Sequence, residues 1–279
     1  MLPNVWKWSV NGKECIQPSL DFGAQKGATY WLESNFPEVP LIEETHSGME
    51  RYRHLLPLAP TAPVVSLGEP ETPVVQTDAN LWMKLEYLMP TGSYKDRGAC
   101  AVLSHALSIG AKEVLEDSSG NAGSSLAAYA ARAGIKANIL VPQSIPEVKL
   151  QSMQAYGSQP LKLPMNRDEV AEEAKRISGN IYFASHTWNP IFFHGTKTFV
   201  WELWLQYQKK QVDWPQHMIF PTGNGTLLLG TWLGLQELKL AGKLPFMPRI
   251  SAVQAQGFEG LSKSRFEPGT ASTRTDRIA

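Results

Sequence analysis

The sequence contains little cysteine and no excess of charge of either sign. Its 279 residues include two cysteines, Cys15 and Cys100, which cannot build a disulfide framework and therefore favour a reducing compartment. The 26 Lys and Arg residues balance 26 Asp and Glu residues. Because no general positive field surrounds such a chain, neither nucleic acid nor an anionic membrane is predicted as a partner.

Long apolar runs are also absent. The longest candidate, near Leu227, soon meets Glu237 and Lys239 and is too short to span a bilayer. The first ten residues, MLPNVWKWSV, are too polar and interrupted for a signal peptide. The His and Cys residues lack zinc-ligand spacing, so no metal site is expected. With 43% apolar residues available for a core, these features predict a soluble, cytoplasmic, globular protein.

From Asn80 onward, strand patterns alternate with helical patterns. Strands are predicted at 81–85, 112–116, 137–141, 161–163, 181–184, 218–220 and 250–254. Helices are predicted at 96–110, 122–133, 146–157, 168–178, 193–208 and 226–240. This alternation favours βαβ units with a parallel sheet, so the predicted fold class is α/β. The first fifty residues are interpreted as an irregular extension packed on this unit.

Three polar turns each follow a predicted strand and open a predicted helix. Such turns gather at the carboxyl ends of the strands in an open α/β sheet, where ligands bind, so the three are candidates for one site. The first turn is PTGSYKDRGA, residues 90–99, with Lys95 at the helix start. The helix dipole disfavours an ammonium there, which suits a lysine that attacks a carbonyl as an amine. Taken alone, Lys95 would be interpreted as a surface lysine.

The second turn, DSSGNAGSS at residues 117–125, crowds hydroxyls, an amide and backbone N–H groups at a helix start. That combination suits a carboxylate or another small anion. The alternative is simple N-capping by Ser118, Ser119 or Asn121. Capping accounts for one such residue better than for several.

The third turn, PTGNGT at residues 221–226, has two glycines that permit tight turns and close backbone approach. A phosphate could therefore bind at the helix start. The dinucleotide pattern G-x-G-x-x-G is not matched, because the next glycine after Gly225 is Gly230. A nicotinamide oxidoreductase is therefore the least favoured alternative. An amine, an anion site and a phosphate site together predict a phosphorylated carbonyl cofactor, pyridoxal 5'-phosphate.

These segments resemble the fold-type II pyridoxal-phosphate enzymes. Lys84-Leu85-Glu86 followed by PTGSYKDRGA is similar to the family's cofactor-lysine segment, and SSGNAG to its loop over the cofactor ring. PTGNGT is similar to its phosphate loop, and HGTKT at residues 194–198 to the start of a characteristic helix. Residues 51–75 look most like the threonine synthases. The resemblance extends over about residues 51–256.

The resemblance implies a role for each site residue. Lys95 would bind the cofactor as a Schiff base and then act as base and acid at the substrate α-carbon. Asn121 would donate to the cofactor's 3'-oxygen. The resemblance further assigns the substrate carboxylate to Ser118, Ser119, Asn121 and Ala122, and the cofactor phosphate to Gly223, Asn224, Gly225 and Thr226.

The implied activity is elimination or replacement at the β or γ carbon of a small amino acid. For a threonine synthase this converts O-phosphohomoserine and water into threonine and phosphate. Threonine or serine dehydratase, diaminopropionate ammonia-lyase and cysteine synthase share the three loops and stay open. A shortened relative without turnover also stays open, because relatives are longer and supply a Ser or Thr beside the pyridine nitrogen that no residue here matches.

The resemblance also implies two domains and a homodimer. The larger, phosphate-binding domain would combine residues 55–84 with 188–260 and would be incomplete. The smaller domain, residues 85–187, would carry the lysine and the substrate loop. Residues 1–54 would form an extension, and residues 261–279, which carry almost no apolar periodicity, a disordered tail.

The other conspicuous residues are expected in structural roles. Cys100 lies in an apolar helix as a small core residue. Trp201, Trp204 and Tyr207 fall at helical spacing, typical of a packing face or a subunit contact. Asp96 and Arg97 are expected to brace the lysine loop.

Overall fold

A computed structural model describes residues 6–15, 19–34, 36, 42–43, 45–256 and 261 of the chain. In these ranges strands and helices alternate as predicted, and the α/β class is confirmed. The strands are β1 (Trp6–Val10), β2 (Lys13–Cys15), β3 (Tyr30–Ser34), β4 (Val74–Asp78), β5 (Leu81–Lys84), β6 (Glu113–Glu116), β7 (Lys136–Pro142), β8 (Leu161–Leu163), β9 (Tyr182–Phe183), β10 (His217–Pro221) and β11 (Arg249–Val253). The helices are α1 (Lys95–Ser108), α2 (Asn121–Ala133), α3 (Glu147–Ala155), α4 (Arg167–Ser178), α5 (Pro190–Thr196), α6 (Thr198–Gln208) and α7 (Thr226–Leu240).

A four-stranded sheet with the order β8-β7-β6-β9 positions the second turn. All three strand pairs are parallel, and α2, α3 and α4 make the crossovers between them. Val114, Leu115 and Ile139 are buried, as expected for parallel strands that are covered on both faces. β6 ends at Glu116, so the turn at residues 117–125 emerges from the carboxyl end of a central strand.

A second parallel pair, β10 and β11, positions the third turn. Phe220 pairs with Ala252 and Pro221 with Val253, so both strands end beside residues 221–226. α7 then returns from this turn and packs on α5 and α6. A Cβ at Gly230 would lie 2.1 Å from Thr196 Oγ1, so α7 approaches α5 at a distance that only glycine allows.

The single long helix predicted at 193–208 is two helices. α5 begins earlier, at Pro190, with the Asn189 side chain accepting from the Ile191 N–H at 3.0 Å. At the junction, Thr198 Oγ1 donates to the Gly195 carbonyl at 2.7 Å. Hydroxyl groups that bond back to the preceding turn bend a helix, which explains the break.

Part of the expected irregular extension, between residues 6 and 34, instead forms an ordered three-stranded sheet. β1 pairs antiparallel with both β2 and β3. The Asn11-Gly12 turn, with φ of 49° and 76°, is the hairpin signal from which this sheet could have been predicted. Trp8 and Leu32 belong to the same core as α1 and α5, and the Leu32 carbonyl lies 2.9 Å from His194 Nε2.

The structure also bears on several other expectations from the sequence. Cys100 and Trp201 are fully buried, which confirms their packing roles. No helix in the described part of the chain is both long and apolar enough to cross a membrane. The two-domain division stays a prediction, and the expected tail at 261–279 lies outside the described residues except for Leu261.

The position of Leu32 in the core predicts that the N-terminal sheet stabilises the whole fold. We expect Leu32→Ala to lower the free energy of unfolding by about 2–5 kcal/mol, since a fully buried leucine leaves a cavity. Urea denaturation followed by tryptophan fluorescence measures this loss. Glu33→Ala, on the same strand but exposed, is the control and should change stability by less than about 0.5 kcal/mol. Equal stabilities of both variants would show that the sheet is dispensable.

Candidate active site

One cavity of about 1290 Å³ brings the three turns together. The predicted site residues that line it are Lys95, Ser118, Ser119, Asn121, Ala122, Gly223 and Asn224. Gly225 and Thr226 lie directly behind this lining at the start of α7. The turns are far apart in sequence, so their meeting supports a common site, while the individual roles stay predictions.

Lys95 is the first residue of α1, and it is 9% exposed. Its Nζ donates to Thr226 Oγ1 at 3.1 Å, and the Tyr94 hydroxyl lies 3.0 Å from the same oxygen. The Nζ also lies 4.7 Å from the centre of the Tyr94 ring. No carboxylate of the described residues forms an ion pair with it. The amine is therefore held at the cavity wall by hydroxyl and aromatic groups.

Asp96 ties the lysine turn to the second turn. Its carboxylate accepts from the Thr91 N–H at 2.7 Å and from the Ser125 hydroxyl at 2.5 Å. Burial raises the pKa of this carboxyl, and the hydrogen bonds from Ser125 and Thr91 oppose that shift. Asp96 therefore joins the start of α1 to the first turns of α2, which confirms the bracing role expected for it.

Arg97 anchors the other side of the lysine turn. Its fully buried guanidinium forms ion pairs with Glu86 at 2.7 Å and Glu202 at 2.9 Å. Lys84 Nζ lies 2.7 Å from the same carboxyl of Glu202. Burial opposes ionisation of Glu202, but Arg97 and Lys84 lower its pKa to about 2. The bracing role of Arg97 is thereby confirmed as well.

The second turn leaves the start of α2 open. Gly120 is the N-cap residue, and no side chain of the described residues accepts a capping hydrogen bond there. Ser118 Oγ instead accepts from the Gly120 N–H at 3.3 Å. A Cβ at Gly123 would lie 2.2 Å from the Ser118 carbonyl oxygen, so the turn closes on the helix only because residue 123 is glycine. The alternative of N-capping by Ser118, Ser119 or Asn121 is therefore wrong, and the first N–H groups of α2 stay available to an anion.

The third turn leaves the start of α7 open in the same way. Gly225 is the N-cap residue with φ of 84°, and within the part of the chain that the structure describes no side chain caps the helix. The Thr222 N–H donates to the Val253 carbonyl at 2.8 Å, which fixes the turn to the end of β11. Gln254 Nε2 donates to the Thr222 carbonyl at 3.3 Å. Gln254 was not predicted from the sequence, because its contact exists only once β11 lies beside β10.

A buried acid–histidine pair lies behind the second turn and was also not predicted. Glu116 Oε1 lies 3.0 Å from His186 Nδ1, and His186 lines the cavity. Burial raises the pKa of Glu116 to about 7 and lowers that of His186 well below its usual value. Both shifts are in the direction of the neutral forms, and the carboxyl of Glu116 is mainly protonated below about pH 7. Two consecutive acids directly before SSGNAG were the available sequence signal.

The residues present fit pyridoxal phosphate. Lys95 offers an amine without an acidic partner in the described part of the chain. The uncapped starts of α2 and α7 offer N–H donors for a carboxylate and a phosphate. Among the described residues, no group of three His, Cys, Asp or Glu side chains is arranged to hold a metal ion.

The family of this protein follows from a match over most of its length. Residues 65–279 match the model of the pyridoxal-phosphate dependent enzymes, and the chain belongs to that family. The fold is that of the fold-type II members, and the prediction of pyridoxal 5'-phosphate as cofactor is confirmed.

Individual curated proteins show which members of this family the chain resembles. The chain is 31% identical over 220 residues to a threonine synthase from Synechocystis sp., covering 75% of this chain and 56% of the relative. It is 34% identical over 220 residues to a threonine synthase from Mycobacterium leprae, covering 74% and 59%. The chain therefore spans less than two thirds of the length of these curated relatives.

Solved structures show the same architecture. A serine racemase from Dictyostelium discoideum superposes with a TM-score of 0.57 at 26% identity, covering 70% of this chain and 63% of that one. An L-serine ammonia-lyase from Rhizomucor miehei superposes with a TM-score of 0.61 at 25% identity, with the same coverage of 70% and 63%.

The Glu116–His186 pair predicts a specific dependence of stability on pH. The pKa of Glu116 is higher in the folded protein than in the unfolded chain, so its contribution to stability is lost as the pH rises through about 7. Glu116→Gln cannot ionise. We expect the stability of wild type relative to this variant to fall by about 1–3 kcal/mol between about pH 5 and pH 8.

Urea denaturation across this pH range measures the difference between the two proteins. The lowered pKa of His186 also makes the folding stability depend on pH, but with the opposite sign. Because His186 is present in both proteins, the comparison of wild type with the variant cancels most of this effect. Glu172→Gln, on an exposed side chain of α4, is the control and should run parallel to wild type. A pH-independent difference for Glu116→Gln would show that Glu116 is ionised throughout.

Proposed function

We propose that this chain catalyses pyridoxal-phosphate-dependent elimination or replacement at the β or γ carbon of an amino acid. The leading reaction is that of a threonine synthase, in which O-phosphohomoserine and water give threonine and phosphate. The supporting observation is the position of Lys95 between the open starts of α2 and α7 in one cavity. Identities of 31–34% to threonine synthases support the choice of substrate.

The residues divide the work as follows. Lys95 would hold the cofactor covalently, and the N–H groups of residues 223–226 would bind its phosphate. Asn121 would donate to its 3'-oxygen. The substrate carboxylate would be bound by Ser118, Ser119, Asn121 and Ala122. When bound, pyridoxal phosphate withdraws electrons from the substrate α-carbon. Lys95 Nζ, steadied by the Thr226 hydroxyl at 3.1 Å, would take the proton from that carbon and return it.

A second candidate is an ammonia-lyase that acts on serine or threonine. The similarity to the L-serine ammonia-lyase structure favours it over the diaminopropionate ammonia-lyase and cysteine synthase alternatives. A relative that binds the cofactor without turnover is the non-catalytic candidate. The two-domain division, the homodimer and the cytoplasmic location are further predictions of the proposal.

The assignment of Lys95 predicts a spectroscopic loss. Purified chain mixed with pyridoxal phosphate should show a visible Schiff-base absorption band that borohydride reduction fixes to Lys95, and Lys95→Ala should remove the band. Peptide mapping by mass spectrometry identifies the modified lysine. Lys84 and Lys149 line the same cavity, so cofactor on either of them would contradict the assignment. Lys112→Ala, outside the cavity lining, is the matched control.

The choice of reaction predicts the released product. A threonine synthase should release phosphate from O-phosphohomoserine and no ammonia from serine or threonine, because the leaving group is the γ-phosphate. Colorimetric phosphate and ammonia assays on the cofactor-loaded chain separate the two candidates. Ammonia without phosphate would favour the lyase. Turnover of any of these substrates would eliminate the non-catalytic candidate.

A further inference from the structure

The Tyr94 hydroxyl is a polar group of the cavity to which the proposed reaction gives no part. Tyr94 lies in the first turn, directly before Lys95, and both residues line the cavity. The hydroxyl lies 3.0 Å from Thr226 Oγ1, at the start of α7. The two residues are 132 positions apart in the sequence, so this contact joins the lysine turn to the third turn.

The hydroxyl oxygen of Thr226 is held at a fixed point. The Thr226 carbonyl accepts from Thr196 Oγ1 at 3.0 Å, and the residue is buried. A β-branched side chain has few accessible rotamers, so Oγ1 stays beside the uncapped start of α7. The direction of the O–H bond, by contrast, is set by the groups to which the hydroxyl is bonded.

The hydrogen bonds of Thr226 Oγ1 leave one proton to be directed. A threonine hydroxyl can accept two hydrogen bonds and donate one. Lys95 Nζ donates to Thr226 Oγ1 at 3.1 Å and uses one lone pair. If the Tyr94 hydroxyl donates as well, both lone pairs are used, and the Thr226 proton must point to a third group. In the described part of the chain Thr226 Oγ1 bonds only to Lys95 and Tyr94, so that proton is available to a ligand.

An anion at the start of α7 selects this arrangement of protons. An ionised phosphate oxygen accepts hydrogen bonds, so the Thr226 hydroxyl must turn its only proton toward it. Tyr94 is then the donor of the Tyr94–Thr226 pair. A hydroxyl that accepts a hydrogen bond is polarised by it and becomes a stronger donor. The Tyr94 hydroxyl therefore both orients the Thr226 hydroxyl and strengthens it as a donor.

We propose that Tyr94 is a positioning residue for the cofactor phosphate, which its hydroxyl serves by directing the Thr226 hydroxyl to it. This inference rests on the proposed function, which assigns the phosphate to the start of α7. It adds a residue outside the phosphate turn, residues 223–226, to the recognition of the phosphate. Two other roles of Tyr94 compete with it. Its ring could serve Lys95, whose Nζ lies 4.7 Å from the ring centre, or its hydroxyl could contact the cofactor directly.

Tyr94→Phe tests the proposal, because phenylalanine keeps the ring and removes the hydroxyl alone. The probes are pyridoxal phosphate and pyridoxal, which share the aldehyde and differ in the phosphate. Titration of each probe against the visible Schiff-base band gives its dissociation constant. We expect Tyr94→Phe to weaken the binding of pyridoxal phosphate by about 3- to 10-fold, as for the loss of one hydrogen bond, and that of pyridoxal by less than about 2-fold.

A control and a double-mutant cycle sharpen the comparison. Tyr87→Phe is the matched control, since Tyr87 is an exposed tyrosine that lines the same cavity, and it should leave both dissociation constants unchanged. Thr226→Val removes the hydroxyl through which Tyr94 is proposed to act. In that background Tyr94→Phe should change the binding of pyridoxal phosphate by less than about 2-fold. If Thr226→Val does not fold, Thr226→Ala takes its place in the cycle.

Three results would overturn the proposal. Equal weakening of both probes by Tyr94→Phe would mean that the hydroxyl acts on Lys95 or its turn and not on the phosphate. Additive losses in the double-mutant cycle would show that the hydroxyl contacts the cofactor directly. Unchanged binding of pyridoxal phosphate to Tyr94→Phe would show that the hydroxyl has no role in its recognition.

A third probe, pyridoxine 5'-phosphate, separates this inference from the proposed function. It carries an alcohol in place of the aldehyde and cannot form a Schiff base, so calorimetric titration with it measures the phosphate site without the chemistry of Lys95. A loss of affinity for this probe in Tyr94→Phe, without a Schiff-base band on Lys95 in wild type, would support the inference and contradict the proposed function. A band on Lys95 that forms equally well in wild type and Tyr94→Phe would do the reverse.

Discussion

The close approach of α1 and α7 to α5 is the constraint on which the site depends. A Cβ at Gly195 of α5 would lie 2.1 Å from the Arg97 carbonyl of α1, and one at Gly230 of α7 would lie 2.1 Å from Thr196 Oγ1 of α5. Glycine at these points lets backbone meet backbone, which larger residues would prevent. The starts of α1 and α7 are thereby brought together, and Lys95 reaches Thr226.

A buried ionic cluster fixes the position of the lysine turn at the start of α1. Arg97 forms ion pairs with Glu86 and with Glu202 of α6. Lys84, at the end of β5, pairs with Glu202, so two positive charges balance two negative ones. Every member has an oppositely charged partner, so the cluster avoids the cost of an isolated buried charge. Removal of one partner would leave such a charge directly beneath the lysine turn. The cluster therefore links the β4–β5 hairpin, α1 and α6 to the position of Lys95.

The cavity contains two kinds of group that can bind an anion, backbone N–H groups and charged side chains. Two helix starts supply N–H donors without a side-chain charge. The Glu116–His186 pair is buried beside the second turn, and both pKa shifts are in the direction of the neutral forms. Arg167 then provides a localised charge at the far edge of that turn.

What the sequence by itself determined is local. The periods of most strands and helices and the three turns each follow from residues close together in the chain, and the chemical class of the cofactor follows from the three turns taken together. The tertiary structure alone decided that Lys95 meets Thr226, 131 residues away, and that Arg167 meets Asp117, 50 residues away. It also decided the N-terminal sheet's place in the core. The physical reason is that backbone preferences and apolar periodicity act over a few residues, whereas distant side chains meet only through packing of the elements that carry them.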